Sequence, residues 1–262
     1  MTGRTITSLT NPIVKAVRSL HMRKSRDDTG RFLAEGLKTI IEALDQGHAP
    51  RLLLYGPDAA RRPLTLRAID VAEEAVEVSP AILAKISRRE NPQTVLAVFD
   101  QKYMPLETIE PATARCWVAL QAVRDPGNLG TIIRTADSAG CGGVILIGDC
   151  CDPYSVEAVR ATMGSIFAVP LVKADAEAFV HWRSGWPGAV VGTLLTAAED
   201  FRTVSYPAPT LLLMGNEQAG LPAELAGLCD VSVKIPMRGR ADSLNLAVAT
   251  GVMIYAVTAD QP

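Results

Sequence analysis

Short, continuously apolar runs recur through the second half of this chain, each followed by a polar turn and an amphipathic stretch. Residues 117–123 (WVALQAV), 143–147 (GVILI) and 210–214 (TLLLM) are the plainest of them. A strand that is apolar at every position has both faces covered. That pattern belongs to a parallel sheet layered between helices, not to a hairpin sheet with one wet face. Further strands are predicted at 169–172, 189–194 and 231–235, with helices at 129–140, 156–164, 176–183, 222–227 and 243–257. The expected class is α/β. In such sheets ligands gather beyond the carboxyl ends of the strands, so the loops there are where a site is sought.

The first hundred residues read as a smaller α/β unit, with helices at 11–22, 36–43 and 80–87 and strands at 51–55 and 94–99. Residues 101–114 are weakly periodic and are taken as a linker. The expected division is 1–100, linker, and 115–262, with the second part folding by itself. Charge separates the same two parts. The whole chain has 26 basic and 28 acidic side chains, yet residues 1–40 sum to +5 and residues 101–262 to −5. A basic half suits phosphate contact, and Arg18, Arg23, Lys24, Arg26 and Arg31 are the candidates. The competing reading is a solvated charged face.

No apolar run approaches the roughly 18 residues of a membrane span, and the first residues lack a secretory h-region, so a cytoplasmic protein is expected. Five cysteines without a CxxC pair, and three distant histidines, suggest neither a disulfide framework nor a metal site.

Three strand-to-helix loops carry unusual residues. Residues 124–134 (RDPGNLGTIIR) contain Asn128, read as a helix cap, and Arg134 about a turn beyond Gly130. The G-x-G-x-x-G spacing of a dinucleotide loop is absent, as is a Walker lysine. Residues 214–222 (MGNEQAGLP) place Glu217 between two glycines, where packing alone gives no reason for a carboxylate. Residues 235–245 (IPMRGRADSLN) offer Ser243 as a helix N-cap and Asn245 inside the first turn, where a buried amide would need partners.

NxGxxxR at 128–134, GNExxGL at 215–221 and IPMxGxxxSLN at 235–245 resemble the three ordered motifs of the SpoU (TrmH) family of RNA ribose 2′-O-methyltransferases. The stretches NPIVKAVRSL, FLAEGLKTIIEAL and NPQTVLAVF are similar to that family's substrate-binding extension. The resemblance implies a parallel sheet with a trefoil-knotted C-terminal segment, a bound S-adenosylmethionine and a homodimer built through the catalytic domain. The terminal helix, apolar on more than one face, agrees with a dimer. By the same resemblance Arg134, Asn128, Glu217, Ser243 and Asn245 are catalytic. Arg134 is either the base or a cation beside the alkoxide, with Glu217 and Asn245 positioning it or the ribose. Thr193, Gly215, Ile235, Met237 and Leu244 would meet the cofactor, and no metal is needed. The implied substrate is structured RNA, rRNA ahead of tRNA. A catalytically silent RNA-binding or ribosome-assembly protein is the competing function.

Overall fold

The computed structural model describes residues 5–89 and 91–259. They form two compact units: residues up to Gln101 together with Asp152–Ala168, and Lys102–Cys151 together with the residues from Val169 onward.

Unit 1 holds β1 (Thr5–Ile6), β2 (Arg31–Glu35), β3 (Leu52–Tyr55), β4 (Ala75–Val78) and β5 (Val95–Asp100), in the order β1-β4-β3-β5-β2. β4 runs parallel to β1 and β3, whereas β5 is antiparallel to both β3 and β2. Its core joins Val14, Val17, Leu33, Leu54, Val76, Ile82 and Leu96.

This unit departs from the sequence reading in several elements, and three of the differences bear on the candidate residues and the domain division. The helix Arg23–Thr29 is not predicted because it has no apolar stripe; its buried member is Arg26. Arg26 donates from Nε to Asp152 at 2.6 Å and from Nη1 to the Leu20 carbonyl at 2.7 Å. A buried, neutralised guanidinium cannot reach a phosphate, so Arg26 leaves the set of RNA-contact candidates. The third difference is residues 152–168, expected in the C-terminal domain. Val156 joins the unit 1 core, Arg160 pairs with buried Glu35 at 2.8 Å, and Phe32 packs on Tyr154 and Phe167. Long-range contacts, invisible to local pattern, place this segment.

Unit 2 holds β6 (Cys116–Gln121), β7 (Val144–Ile147), β8 (Leu171–Ala174), β9 (Val190–Thr193), β10 (Glu199–Asp200), β11 (Thr210–Met214) and β12 (Val231–Lys234). The order is β10-β12-β9-β11-β6-β7-β8 and every pairing is parallel. β7 and β11 are buried along their whole length, as their continuous apolar character requires. The stretch taken as a linker is packed: Met104 bridges to Val172, and Leu106 and Ile109 enter the core. The terminal helix, Leu246–Thr258, lies against the helix Pro126–Ser138 and against β6 and β11. Among the described residues no helix is long and apolar enough to cross a membrane.

Candidate active site

Four adjacent parallel strands, β12, β9, β11 and β6, bring the loops after their carboxyl ends to one side of the sheet. Local chemistry shapes each loop. After β6, Asp125 caps the helix Pro126–Ser138, its Oδ1 accepting from the Asn128 N–H at 2.6 Å. Asn128 does not take the capping role expected of it. Asp followed by Pro at the first helical position is the sequence signal that marks the true cap. The capping carboxylate leaves the Asn128 side chain available for other partners.

After β11, the chain makes a tight turn closed by hydrogen bonds between Asn216 and Gly220, 3.2 Å each way. A Cβ on Gly215 would sit 2.0 Å from the Gly220 carbonyl carbon, and Gly220 itself has φ +67°. Both glycines therefore serve the turn, and the turn presents Glu217 to the first loop. Glu217 Oε1 accepts from the Asp125 N–H at 3.2 Å and from Asn128 Nδ2 at 3.0 Å, and Oε2 accepts from the Arg124 N–H at 3.2 Å. Burial pushes this carboxyl up, but the hydrogen bonds from Asn128, its own backbone, Arg124 and Asp125 prevail and hold it below the usual carboxylate value.

The third loop supplies the last link. Asn245, not Ser243, caps the terminal helix, accepting from the Ala247 and Val248 N–H groups at 2.9 and 3.3 Å. Asn245 is exposed, not buried in the first turn as expected, because the helix begins one residue later. Its Nδ2 donates to Asn128 Oδ1 at 2.9 Å. One hydrogen-bonded line, Asn245 to Asn128 to Glu217, thus crosses all three loops.

Beside this line lies a cleft of about 630 Å³, within the range of small-ligand sites. It is lined by Thr193, Gly215, Ile235, Met237 and Leu244, and also by Glu217, Ser243 and Asn245. The sequence reading missed the wall formed by the loop after β9, Leu194, Leu195 and Thr196, which carries no motif. Thr193 Oγ1 is buried without a hydrogen-bond partner among the described residues. A ligand hydroxyl or amine would satisfy it, so the donor set fits a polar small molecule seated in an apolar wall.

Arg134 is placed apart from the line. It is exposed on the helix Pro126–Ser138, on the face shared with Thr131, Thr135 and Ser138, and makes no side-chain hydrogen bond or ion pair among the described residues. Glu217 and Asn245 bind Asn128 and do not position Arg134 within the single chain.

A parallel sheet whose neighbouring loops converge on one polar-lined cleft defines an α/β enzyme that seats a small ligand at its strand ends. Residues 115–255 match the SpoU rRNA Methylase family, and residues 11–97 match the MRM3-like substrate binding domain. The chain belongs to the SpoU rRNA methylase family. It is 34% identical over 250 residues to the 23S rRNA (guanosine(2553)-2′-O)-methyltransferase RlmP of Bacillus subtilis, covering 95% of this chain and 97% of that one. An AdoMet-bound rRNA methyltransferase from Sinorhizobium meliloti superposes with a TM-score of 0.90 at 49% identity, covering 97% of each chain. The SpoU methyltransferase AviRb of Streptomyces viridochromogenes, in complex with AdoMet, gives 0.85 at 31% identity over 95% of this chain and 97% of that one.

Proposed function

We propose that this chain transfers a methyl group from S-adenosylmethionine to a ribose 2′-hydroxyl of ribosomal RNA. The observation that carries the reading is the cleft itself, which gathers residues of all three motif loops beside the Asn245–Asn128–Glu217 line. Thr193, Gly215, Ile235, Met237 and Leu244 would hold the cofactor there. Bound S-adenosylmethionine supplies an activated methyl group on a sulfonium, and the remaining work falls to the protein. Glu217 is a poor base, since its oxygens already accept from Asn128, Arg124 and Asp125 and are held ionised. Arg134 is the group left to act on the hydroxyl, as base or as the cation beside a developing alkoxide. Ser243, exposed at the cleft, would touch substrate.

Three further parts belong to this proposal. Unit 1 captures RNA, with Arg18, Arg23, Lys24 and Arg31 along its path; its match to a substrate binding domain supports this. A second copy covers the shallow groove formed by Thr131, Thr135, Val248, Gly251, Val252 and Tyr255. Val248 and Tyr255 are 53% and 56% exposed there, and Arg134 shares the face, so dimerisation would bring it beside the partner. The trefoil knot is the third part, and what supports it is the match of residues 115–255 to the SpoU rRNA Methylase family.

Mass mapping of ribose methylation in rRNA, with and without the protein, tests the reaction. An unchanged map, together with no S-adenosylmethionine binding by calorimetry, would refute it and favour the silent RNA-binding alternative.

A further inference from the structure

The chain leaves β12 at Lys234 and enters the third loop, where Ile235 and Met237 join the wall of the cleft. Three cations flank those wall residues: Lys234, half-buried, and Arg238 and Arg240, both exposed. None of the three makes a hydrogen bond or ion pair among the described residues. Arginines of this unit are otherwise engaged: Arg115, Arg124, Arg183 and Arg202 each hold a carboxylate or a carbonyl, and Arg134 alone shares the unpaired state among the described residues. Asp200, whose carboxylate feels Arg238, is committed to Arg202, its oxygens accepting from Nε at 2.9 Å and Nη2 at 2.5 Å. The other acids along β10 and the loop are Glu199 and Asp242, both exposed. Gly239, between the two arginines, lies outside the left-handed φ region, and a Cβ there would meet nothing within 4 Å. Neither strain nor packing within the chain calls for glycine at this position. A ligand backbone drawn close to the loop would.

A ribose 2′-oxygen and the 3′-phosphate hang on adjacent ring carbons, so RNA that offers a hydroxyl to the cleft brings a phosphodiester to its rim. Glu217 is ionised there and residues 101–262 sum to −5, so that phosphate is repelled unless cations stand beside it. The geometry points to Lys234, Arg238 and Arg240 as a phosphodiester-binding rim that holds the RNA backbone next to the target ribose. It is a contact set in unit 2, separate from the one proposed for unit 1, and it rests on the methyl-transfer reading above. A guanidinium fork matches two phosphate oxygens at once, and both arginines have their donors unspent. Such contacts position RNA without reading its sequence.

The triple variant Lys234→Gln, Arg238→Gln, Arg240→Gln tests the rim, with unmodified 23S rRNA transcript as the probe in filter binding over a salt series. RNA Kd should rise on the order of 10-fold, and the slope of log K against log salt should shrink by about two units, at about 0.7–0.9 for each phosphate no longer neutralised. Cofactor Kd by calorimetry should stay within several-fold. In the wild type, phosphate-ethylation interference should mark phosphates flanking the methylated ribose; the triple variant should lose those marks and keep the distant ones. An unchanged Kd and slope overturns the inference. So does a loss confined to cofactor affinity, which would assign the cations to the cofactor carboxylate, or flanking marks that survive in the triple variant. Should that variant fail to fold, Arg238→Gln combined with Arg240→Gln decides, since both side chains are exposed and unpaired among the described residues. A wild-type protein that binds rRNA and methylates none would instead sink the proposed function, a separable result, because Kd and salt slope are read without turnover.

Discussion

Unit 2 is built on strands that each carry their own continuous apolar run, and unit 1 closes on a segment taken from far along the chain. In unit 2 the apolar runs of β6, β7 and β11 pair directly, β11 with β6 and β6 with β7. Unit 1 closes its core with a segment borrowed from between β7 and β8, held by the buried Arg26–Asp152 pair and by Arg160 on Glu35. A sheet of self-sufficient strands can be read from local pattern. A core completed by a distant segment cannot, and it ties two regions of chain that sequence alone would separate.

The severest way to break the comparison is to delete residues 1–100. Treated as separate domains, the remainder should fold; treated as interlocked, it leaves Tyr154 and Val156 without the surfaces that bury them and Phe167 without the rings of Phe32 and Phe99. Largely insoluble protein is expected from expression of 101–262, and a soluble, cofactor-binding fragment would show that unit 2 is independent. Next in size is Arg134→Ala. Arg134 is exposed and makes no ion pair among the described residues, so stability should hold while methyl transfer drops on the order of 10³-fold and cofactor affinity stays within several-fold. Near-normal turnover would remove both roles assigned to it.

Ion pairs sharpen the contrast further. Arg26 and Asp152 are 4% and 8% exposed, whereas Arg124 and Asp149 in unit 2 are 61% and 72% exposed. Arg26→Ala strands a buried carboxylate and should cost about 3–5 kcal/mol in denaturant unfolding. Arg124→Ala should cost less than about 1 kcal/mol. Equal costs would mean that burial does not distinguish the two pairs.

Acid should separate the units as well. Burial holds His21 below the ordinary imidazole value of 6.5, against the pull of its 2.7 Å hydrogen bond to the Ile86 carbonyl. The unfolded chain then takes up a proton that the folded ring resists, so unit 1 loses stability as the pH falls from 6.5 toward that lowered value. Glu217 has its folded value below the ordinary 4.5, so its contribution is present above 4.5 and is lost only as the pH falls through that lower value. Hydrogen exchange near pH 6 should loosen unit 1 before unit 2, and His21→Gln should remove the difference. The smallest effect expected is in RNA capture. Neutralising Arg23 and Lys24 should weaken binding by a few-fold across sequences and reduce the salt slope by about one unit for each phosphate that is no longer neutralised. An unchanged slope would leave them as a solvated face; Arg23 already has Asp27 at 3.7 Å.

Legibility follows the same division. β6, β7 and β11 are plain in the sequence because burial on both faces leaves no polar position to interrupt them. β4 (AVEV) and the helix Arg23–Thr29 are hidden, one by its acidic neighbours and the other by a charged residue in a core position. At the site, the three motifs are readable as unusual residues in strand-end loops. The Asp-Pro pair marks Asp125 as the cap expected of Asn128, but spacing cannot say that Asn245 takes the capping role expected of Ser243. Nor can it say which face of each amide meets the next, because that depends on loops more than a hundred residues apart.

The borrowed segment has a consequence for synthesis. Arg26 waits for a partner 126 positions further along, and Glu35 for one 125 positions further. A chain emerging from the ribosome therefore exposes Phe32, Phe99 and their neighbours until β6, the helix Pro126–Ser138 and β7 have all been made. Closing such long loops is slow, and the uncovered surface is prone to aggregate meanwhile. The amino-terminal half, first to be translated, is thus bound to mature late, in step with the opening strands of the catalytic sheet.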